Sequence, residues 1–436
     1  MLRFGTDGVR GVALTELTTS YVASLGAAAA DVLGAGTWLI GRDTRESGPI
    51  LEAALTAGLR ARGAEVVSCG MLPTPALAFL SARRRLPAAM ITASHNPYTD
   101  NGVKIFAAGG LKLSDETEAT IEALLVDVDV IPLAVAPSEA YTAQYAEYLI
   151  GLFGAGELRD MKIVLDCANG AMSAVAPQVA IALGADVIVI HAEPNGTNIN
   201  AKCGATHPAS LGLAVVEHGA DLGLAFDGDG DRVIAVDNNG AVVDGDRMIA
   251  LGALQLKAQG QLSGNTVVVT VMSNLGFHHA MRDAGIDVVA AAVGDRYVLE
   301  ALAAGGYAIG GEQSGHIIYP RSATTGDGLL AGLRLAQHVQ ATGRPLSDLA
   351  TAVMTTYPQV LLNVRVREKH PNIAEEMEAE IAAAEQVFGG DGRVLVRASG
   401  TEPLIRVMVE AATAELARSV AEHLCEVVRS RFAGSP

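Results

Sequence analysis

Cysteine, aromatic residues and positive charge are all scarce in this 436-residue chain. The four cysteines, Cys69, Cys167, Cys203 and Cys425, stand far apart, without the close pairs of a zinc ribbon or a redox motif. In a chain of this length they are expected to be reduced thiols of a cytoplasmic protein, not a disulfide framework. Lys and Arg total 31 against 48 Asp and Glu, a formal net charge of −17. An acidic surface repels the phosphates of nucleic acids and anionic membranes, so neither is an expected partner. No apolar run approaches the roughly 20 residues of a membrane span, and the alanine-rich tract 25–33 reads as a buried helix. The opening MLRFGTDGVRG carries glycine and charge where a secretory signal needs an apolar stretch, which again points to the cytoplasm. The sequence leaves a homodimer open.

Apolar material is plentiful. Hydrophobic residues make up 50% of the chain and charged residues 18%, which supports packed cores and excludes a disordered chain. Short β-branched runs at 37–41, 64–68, 88–92, 162–166, 186–191, 221–226, 266–271 and 287–293 alternate with Ala/Leu-rich helical stretches such as 173–183, 247–257 and 329–339. Near-continuous apolar strands between helices are the pattern of sheets covered on both faces. A helical segment at 141–153 before Gly154-Ala155-Gly156, and a polar loop at 259–265, suggest breaks. Beyond Tyr357-Pro358 the order changes to a strand, a charged helix (375–386), two strands and a final helix (414–431). The expected architecture is α/β: three similar α/β domains (1–155, 156–258, 259–366) with mixed, largely parallel sheets, plus a small C-terminal α+β domain (367–436), around a central cleft. Each of the first three segments pairs strands with helices, which hints at a structural repeat.

Polar loops interrupt this pattern, and ligands of α/β sheets bind at the carboxyl ends of strands. At 92–97, TASHNP places Ser94 directly before His95, with Lys104 ten positions on. A serine hydroxyl needs a base, a metal or an anion site to act as a nucleophile. The competing reading is a turn in which Ser94 and Asn96 satisfy backbone groups. At 227–232, DGDGDR sets three carboxylates within five residues, and a hard dication with oxygen ligands, Mg2+ above all, would compensate them. A Ca2+ loop of the D-x-D-x-D-G type does not fit, because Asn238 stands where its bidentate glutamate belongs. The alternative is a solvated acidic turn. At 310–316, GGEQSGH offers Glu312 and Ser314 for sugar hydroxyls and His316 as acid or base, or else a bulged strand end. At 397–406, Arg397, Ser399, Gly400, Thr401 and Arg406 form a candidate anion nest. GTDGVRG at 5–11 holds Arg10 between glycines, and Val293-Gly294-Asp295-Arg296 is similar in style.

In this order the loops resemble the α-D-phosphohexomutase superfamily, and within it the bacterial phosphoglucosamine mutase branch. The match runs through GTDGVRG (5–11), TASHNP (92–97), DNGVKIF (100–106), AFDGDGDR (225–232), VGDRYV (293–298), GGEQSGH (310–316) and RASGTEPLIRVMVE (397–410). Thr92 and Ala398 depart slightly from the branch pattern. The resemblance implies a cytoplasmic isomerase that interconverts glucosamine 6-phosphate and glucosamine 1-phosphate, feeding UDP-N-acetylglucosamine synthesis. It implies a covalent phosphate on Ser94, one Mg2+ held by Ser94, Asp227, Asp229 and Asp231, and contact of Arg232 with the phosphoserine. Glu312 and Ser314 would hold sugar hydroxyls, and Arg397, Ser399, Gly400, Thr401 and Arg406 the phosphate that does not react. Arg10, His95, Lys104 and His316 would surround the reacting hydroxyl. The same reaction on glucose or mannose phosphates is the nearest alternative, followed by a metal-dependent sugar phosphatase and a non-catalytic sugar-phosphate sensor.

Overall fold

A computed structural model describes residues 2–5, 7–126, 136, 140–154, 156–399 and 403–433. The chain forms two compact units, Met1–Met272 with Gly285–Val353, and Ser273–Ala284 with Met354–Pro436. The expected break at Ala155 falls outside the described residues. Among the described residues, no helix is long and apolar enough to cross a membrane.

The larger unit contains one arrangement three times. Strands Thr37–Arg42, Glu65–Met71, Ala88–Ile91 and Asp100–Ala107 lie in the spatial order second, first, third, fourth. Strands Lys162–Asp166, Asp186–Ile190, Leu222–Phe226 and Val233–Asp237 repeat that order, as do Thr266–Thr270, Asp287–Ala291, Gly310–Gly311 and Ile317–Ile318. In every copy the first three strands are parallel and the fourth is antiparallel to the third. The sheets are therefore mixed, with parallel strands at their centres. Burial explains the apolar runs: Ile163, Val164 and Leu165 point alternately to opposite faces and all are wholly buried. The alanine-rich tract belongs to helix Thr19–Leu33, which packs against helix Gly48–Ala61 so closely that a Cβ on Gly58 would lie 1.9 Å from the Ala23 carbonyl oxygen.

The fourth strands escape a reading of hydrophobic runs. Residues 100–107 continue the serine loop in sequence, beginning Asp-Asn-Gly, yet they form a strand in which the buried Val103 and Ile105 face one way and Gly102, Lys104 and Phe106, also buried, face the other. Lys104 sits in its middle. The loop at 312–316 joins two two-residue strands in regular antiparallel register, Gly310 opposite Ile318 and Gly311 opposite Ile317.

The smaller unit is a three-stranded antiparallel sheet in the order Gln359–Arg365, Leu404–Ala411, Gly392–Ala398, with helices Glu378–Phe388 and Ala414–Val428. The charged helix expected at 375–386 is divided. A turn at Ile373–Glu376 precedes it, and Met377, wholly buried, takes a non-helical conformation between the two. The final helix ends at Val428 and passes into a wider turn, Arg429–Ala433. Helix Leu275–Asp283 belongs to this unit, where the buried Glu410 accepts from the Leu275 amide at 3.0 Å and from Asn274 Nδ2 at 3.1 Å.

Candidate active site

The repeat explains where the chemistry collects. In each copy the loop joining the third strand to the fourth carries a motif: residues 92–99, 227–232 and 312–316. All three begin at the carboxyl end of a parallel strand.

Ser94 is wholly buried and sits at φ +51°, the left-handed region that costs a non-glycine residue on the order of 1 kcal/mol or more. Its surroundings enforce that conformation. The Ser94 amide donates to Thr92 Oγ1 at 2.9 Å, and its carbonyl accepts from Arg45 Nη2 and Asn200 Nδ2, both at 2.9 Å. The same guanidinium donates to the carbonyls of Asn96 at 2.8 Å, Asp100 at 2.9 Å and Pro97. Asp43 orients it through a 2.9 Å contact with Nε and also accepts from Thr92 Oγ1 at 2.7 Å. Asp43 and Arg45 were missed in the sequence. Their only signal was a charged GRDTR run immediately after the apolar strand, a place where α/β sheets put functional groups.

The serine hydroxyl donates to Asp227 Oδ2 at 2.5 Å. Asp227, Asp229 and Asp231 are all buried, and each offers a carboxylate oxygen within 4.8 Å of the others. Lys104 Nζ balances part of this charge, lying 2.8 Å from Asp229 Oδ2, 2.7 Å from Asp231 Oδ2 and 2.8 Å from Asp7 Oδ2. Thr74 Oγ1 donates to Asp229 Oδ2 at 2.6 Å. The remaining oxygens, Asp229 Oδ1 and Asp231 Oδ1, are buried without a hydrogen-bond partner among the described residues. Burial pushes the Asp227 carboxyl well above its usual range, and the charges of Asp231 and Asp229 push it further. Burial alone would lower the Lys104 ammonium, but Asp229, Asp231 and Asp7 hold it well above its ordinary value. Lys104 and the Arg232 guanidinium, whose Nε lies 4.0 Å from Asp231 Oδ1, together give two positive charges to a triad that Asp7 also joins through Lys104, and carboxylate oxygens around the serine hydroxyl are left for a further cation. That donor set fits a hard dication such as Mg2+.

His95 Nδ1 lies 3.4 Å from Ser94 Oγ. Burial first, then the charges of Arg232 and Arg10, lowers its pKa to about 4, so its ring is neutral at neutral pH. Arg10 Nη2 meets Asp7 Oδ2 at 2.6 Å, and Asp7 also takes Lys112 at 2.6 Å, so this second missed carboxylate gathers three cations. The Arg232 amide donates to Asp227 Oδ1 at 3.2 Å. A cavity of about 310 Å3 is bordered by Asp7, Arg232, Asp295, Glu312, Ser314 and His316. Glu312 Oε1 accepts from the Gly294 amide and its Oε2 from Ser314 Oγ, both at 3.3 Å. His316 is buried with Nε2 3.4 Å from Asp295 Oδ2, and neither ring nitrogen makes a hydrogen bond. Every expected site residue of the larger unit therefore falls in one contiguous neighbourhood.

In the smaller unit, Arg397 and Arg406 are directly opposite on adjacent strands. Burial and then the charge of Arg406 lower the Arg397 pKa, as expected of two like charges directly opposite. The Ser399 amide donates to the Leu404 carbonyl at 2.7 Å and closes the turn. Gly400 and Thr401 lie outside the described residues.

Comparison with known proteins accords with this geometry. Four phosphoglucomutase/phosphomannomutase profiles match in succession: alpha/beta/alpha domain I over residues 1–129, domain II over 139–240, domain III over 244–357 and the C-terminal domain over 361–427. A phosphoglucosamine mutase of Rhodococcus erythropolis is 53% identical, with 98% of this chain and 99% of the relative aligned. One of Rhodococcus jostii is 52% identical with the same coverage. In fold, a phosphoglucomutase/phosphomannomutase family protein of Burkholderia thailandensis superposes with a TM-score of 0.81 at 24% identity, covering 98% of this chain and 99% of its own. A chain matched from end to end by relatives more than half identical to it, with all four domain profiles in order, belongs to the phosphoglucomutase/phosphomannomutase family.

Proposed function

We propose that the protein is a phosphoglucosamine mutase that interconverts glucosamine 6-phosphate and glucosamine 1-phosphate through a phosphate carried on Ser94. The observation that carries this reading is the hydroxyl of a conformationally constrained serine, 2.5 Å from one carboxylate of a buried aspartate triad. Ser94, Asp227, Asp229 and Asp231 would hold one Mg2+, whose charge withdraws electron density from the phosphate oxygens and eases departure of the serine oxygen. Phosphoryl transfer proceeds by a loose transition state, so positioning and charge supply most of the acceleration.

The Oγ–P bond of phosphoserine breaks as the sugar 1-hydroxyl bonds to phosphorus; the hydroxyl proton passes to a base of the protein, and the departing serine oxygen takes a proton to become the hydroxyl again. The resulting 1,6-bisphosphate turns over, its O6–P bond breaks as Ser94 Oγ bonds to that phosphorus, and the serine proton passes to the sugar 6-oxygen. Lys104, held as a cation by three carboxylates, acts by charge; His95 and His316 are the residues able to accept the proton. Arg10 and Arg232 face the transferring phosphate, and Glu312 and Ser314 take sugar hydroxyls. Arg397, Ser399, Gly400, Thr401 and Arg406 grip the phosphate that does not react, at either end of the sugar. The three α/β domains and the C-terminal domain would each contribute one loop, with the last boundary moved from 366/367 to Met354, because strand Gln359–Arg365 pairs with Leu404–Ala411 in the C-terminal sheet.

The test follows glucosamine 6-phosphate by 31P NMR, with Mg2+ and a trace of glucosamine 1,6-bisphosphate. Glucosamine 1-phosphate should accumulate, intact mass should show one phosphate on Ser94, and Ser94→Ala should abolish both. Preference for glucose or mannose phosphates in kcat/KM would move the assignment to the sister activity, and net release of phosphate would make the protein a phosphatase.

A further inference from the structure

A second cluster of ligand atoms lies outside the catalytic loops. Asp166 closes strand Lys162–Asp166, His191 follows strand Asp186–Ile190, and Cys203 stands in the next loop. Because the two strands are parallel neighbours, their carboxyl ends bring Asp166 and His191 together, and the returning chain delivers Cys203. One ligand atom from each lies within 4.8 Å of the other two. His191 Nδ1 is 3.1 Å from Asp166 Oδ2, yet this buried atom makes no hydrogen bond among the described residues. Two heteroatoms that approach this closely without sharing a proton suit a common third atom.

The ordinary role of Asp166 is visible too. Its Oδ1 accepts from the Ala168 amide and its Oδ2 from the Gly204 amide, both at 2.9 Å. These bonds hold the carboxylate in place and still leave lone pairs on each oxygen. Asp166 and Cys203 are wholly buried, whereas the His191 side chain is 33% exposed and gives the cluster an edge to solvent.

We propose that Asp166, His191 and Cys203 form a binding site for a borderline-soft dication of the zinc or cobalt type, distinct from the aspartate triad. A thiolate, an imidazole and a carboxylate together select such ions, whereas the all-oxygen triad selects Mg2+. Three protein ligands leave a fourth position for water at the exposed edge. Burial pushes the Cys203 thiol up to about 12, so coordination would displace its proton to solvent. The site reaches the serine loop through a short path, since Asn200, three residues before Cys203, donates to the Ser94 carbonyl at 2.9 Å.

The full-length protein is titrated with Co2+ in excess Mg2+, which keeps the triad occupied, while near-ultraviolet absorption is recorded. The proposal expects a thiolate-to-cobalt band that saturates at one ion per chain, is lost on addition of Zn2+, is absent in Cys203→Ser, and needs at least tenfold more Co2+ to saturate in His191→Gln. Should Cys203→Ser not fold, the half-exposed His191 variant carries the comparison. Absence of the band up to millimolar Co2+, or a band unaltered in these variants, overturns the proposal.

Discussion

Arg45 Nη2 donates a 2.9 Å hydrogen bond to the carbonyl of Ser94, and the two Nη atoms also donate to the carbonyls of Asn96, Pro97 and Asp100 while Nε meets Asp43. A planar fork with five donors can do this, and a lysine ammonium cannot. Arg45→Lys should therefore keep the buried charge pair with Asp43 but loosen the serine. An ångström of misplacement costs on the order of 100-fold in a transfer reaction, so kcat should fall by about that factor with KM less affected. Arg45→Met strands the Asp43 carboxylate and should cost about 3–5 kcal/mol in urea unfolding. Wild-type turnover in the lysine variant would remove Arg45 from the positioning machinery.

Gly228 shows why the acidic loop alternates with glycine. A Cβ there would lie 2.7 Å from the Ser94 carbonyl oxygen and 2.7 Å from Ile199 Cδ1. Gly228→Ala must push the two loops apart, at a cost of about 1–3 kcal/mol. Activity should drop at least tenfold while the far-ultraviolet circular dichroism stays native, because the strain falls between the serine and the triad. A variant with unchanged kcat would show that the loops need not touch.

The candidate site loops were legible because their donor sets are local: DGDGDR and TASHNP each state one within a few residues. What surrounds them was not. Lys104 was visible as a positive charge ten positions after Ser94, but its three carboxylate partners come from two other strand ends. Asp43, Arg45, Thr74 and Asn200 act through backbone carbonyls or a single carboxylate oxygen, contacts that leave no periodic trace in the sequence. The repeat was hinted at by alternating strands and helices. It becomes plain only in strand order, because Asp100–Ala107 begins in a polar loop and Ile317–Ile318 is two residues long, while the buried apolar run of Val233–Asp237 follows directly on the acidic loop. The Asp166, His191 and Cys203 cluster was hidden for the same reason, its members being 12 to 37 positions apart.

Asp229 divides its carboxylate between two tasks. Its Oδ2 meets Thr74 and Lys104, while Oδ1 has no partner among the described residues. Asp229→Asn keeps the shape and removes one charge from the metal's side of the balance. The Mg2+ concentration for half-maximal activity should rise at least tenfold, an effect read directly from activity against Mg2+. An unchanged Mg2+ requirement would reduce the acidic loop to a solvated turn.

His95 supplies a pH prediction whose sign can be worked out. Burial, then Arg232 and Arg10, depresses its pKa to about 4, below the 6.5 of an unconstrained imidazole, and Asp231 and Asp229 oppose this only in part. The folded protein therefore binds a proton at His95 less readily than the unfolded chain. Its contribution to stability is present above about pH 6.5 and is lost as the pH falls towards 4. In Mg2+-free, unphosphorylated protein, NMR of the ring should show a neutral imidazole down to about pH 4. Replacing Arg232 by Gln removes the larger of the two cationic influences and should shift the midpoint upward. His95→Gln should cost more stability at pH 7.5 than at pH 5, because the acid penalty disappears with the imidazole. A ring that titrates near 6.5 in the folded protein would mean that the two arginines do not face it, and His95 would then lose its claim to be the neutral proton acceptor beside Ser94.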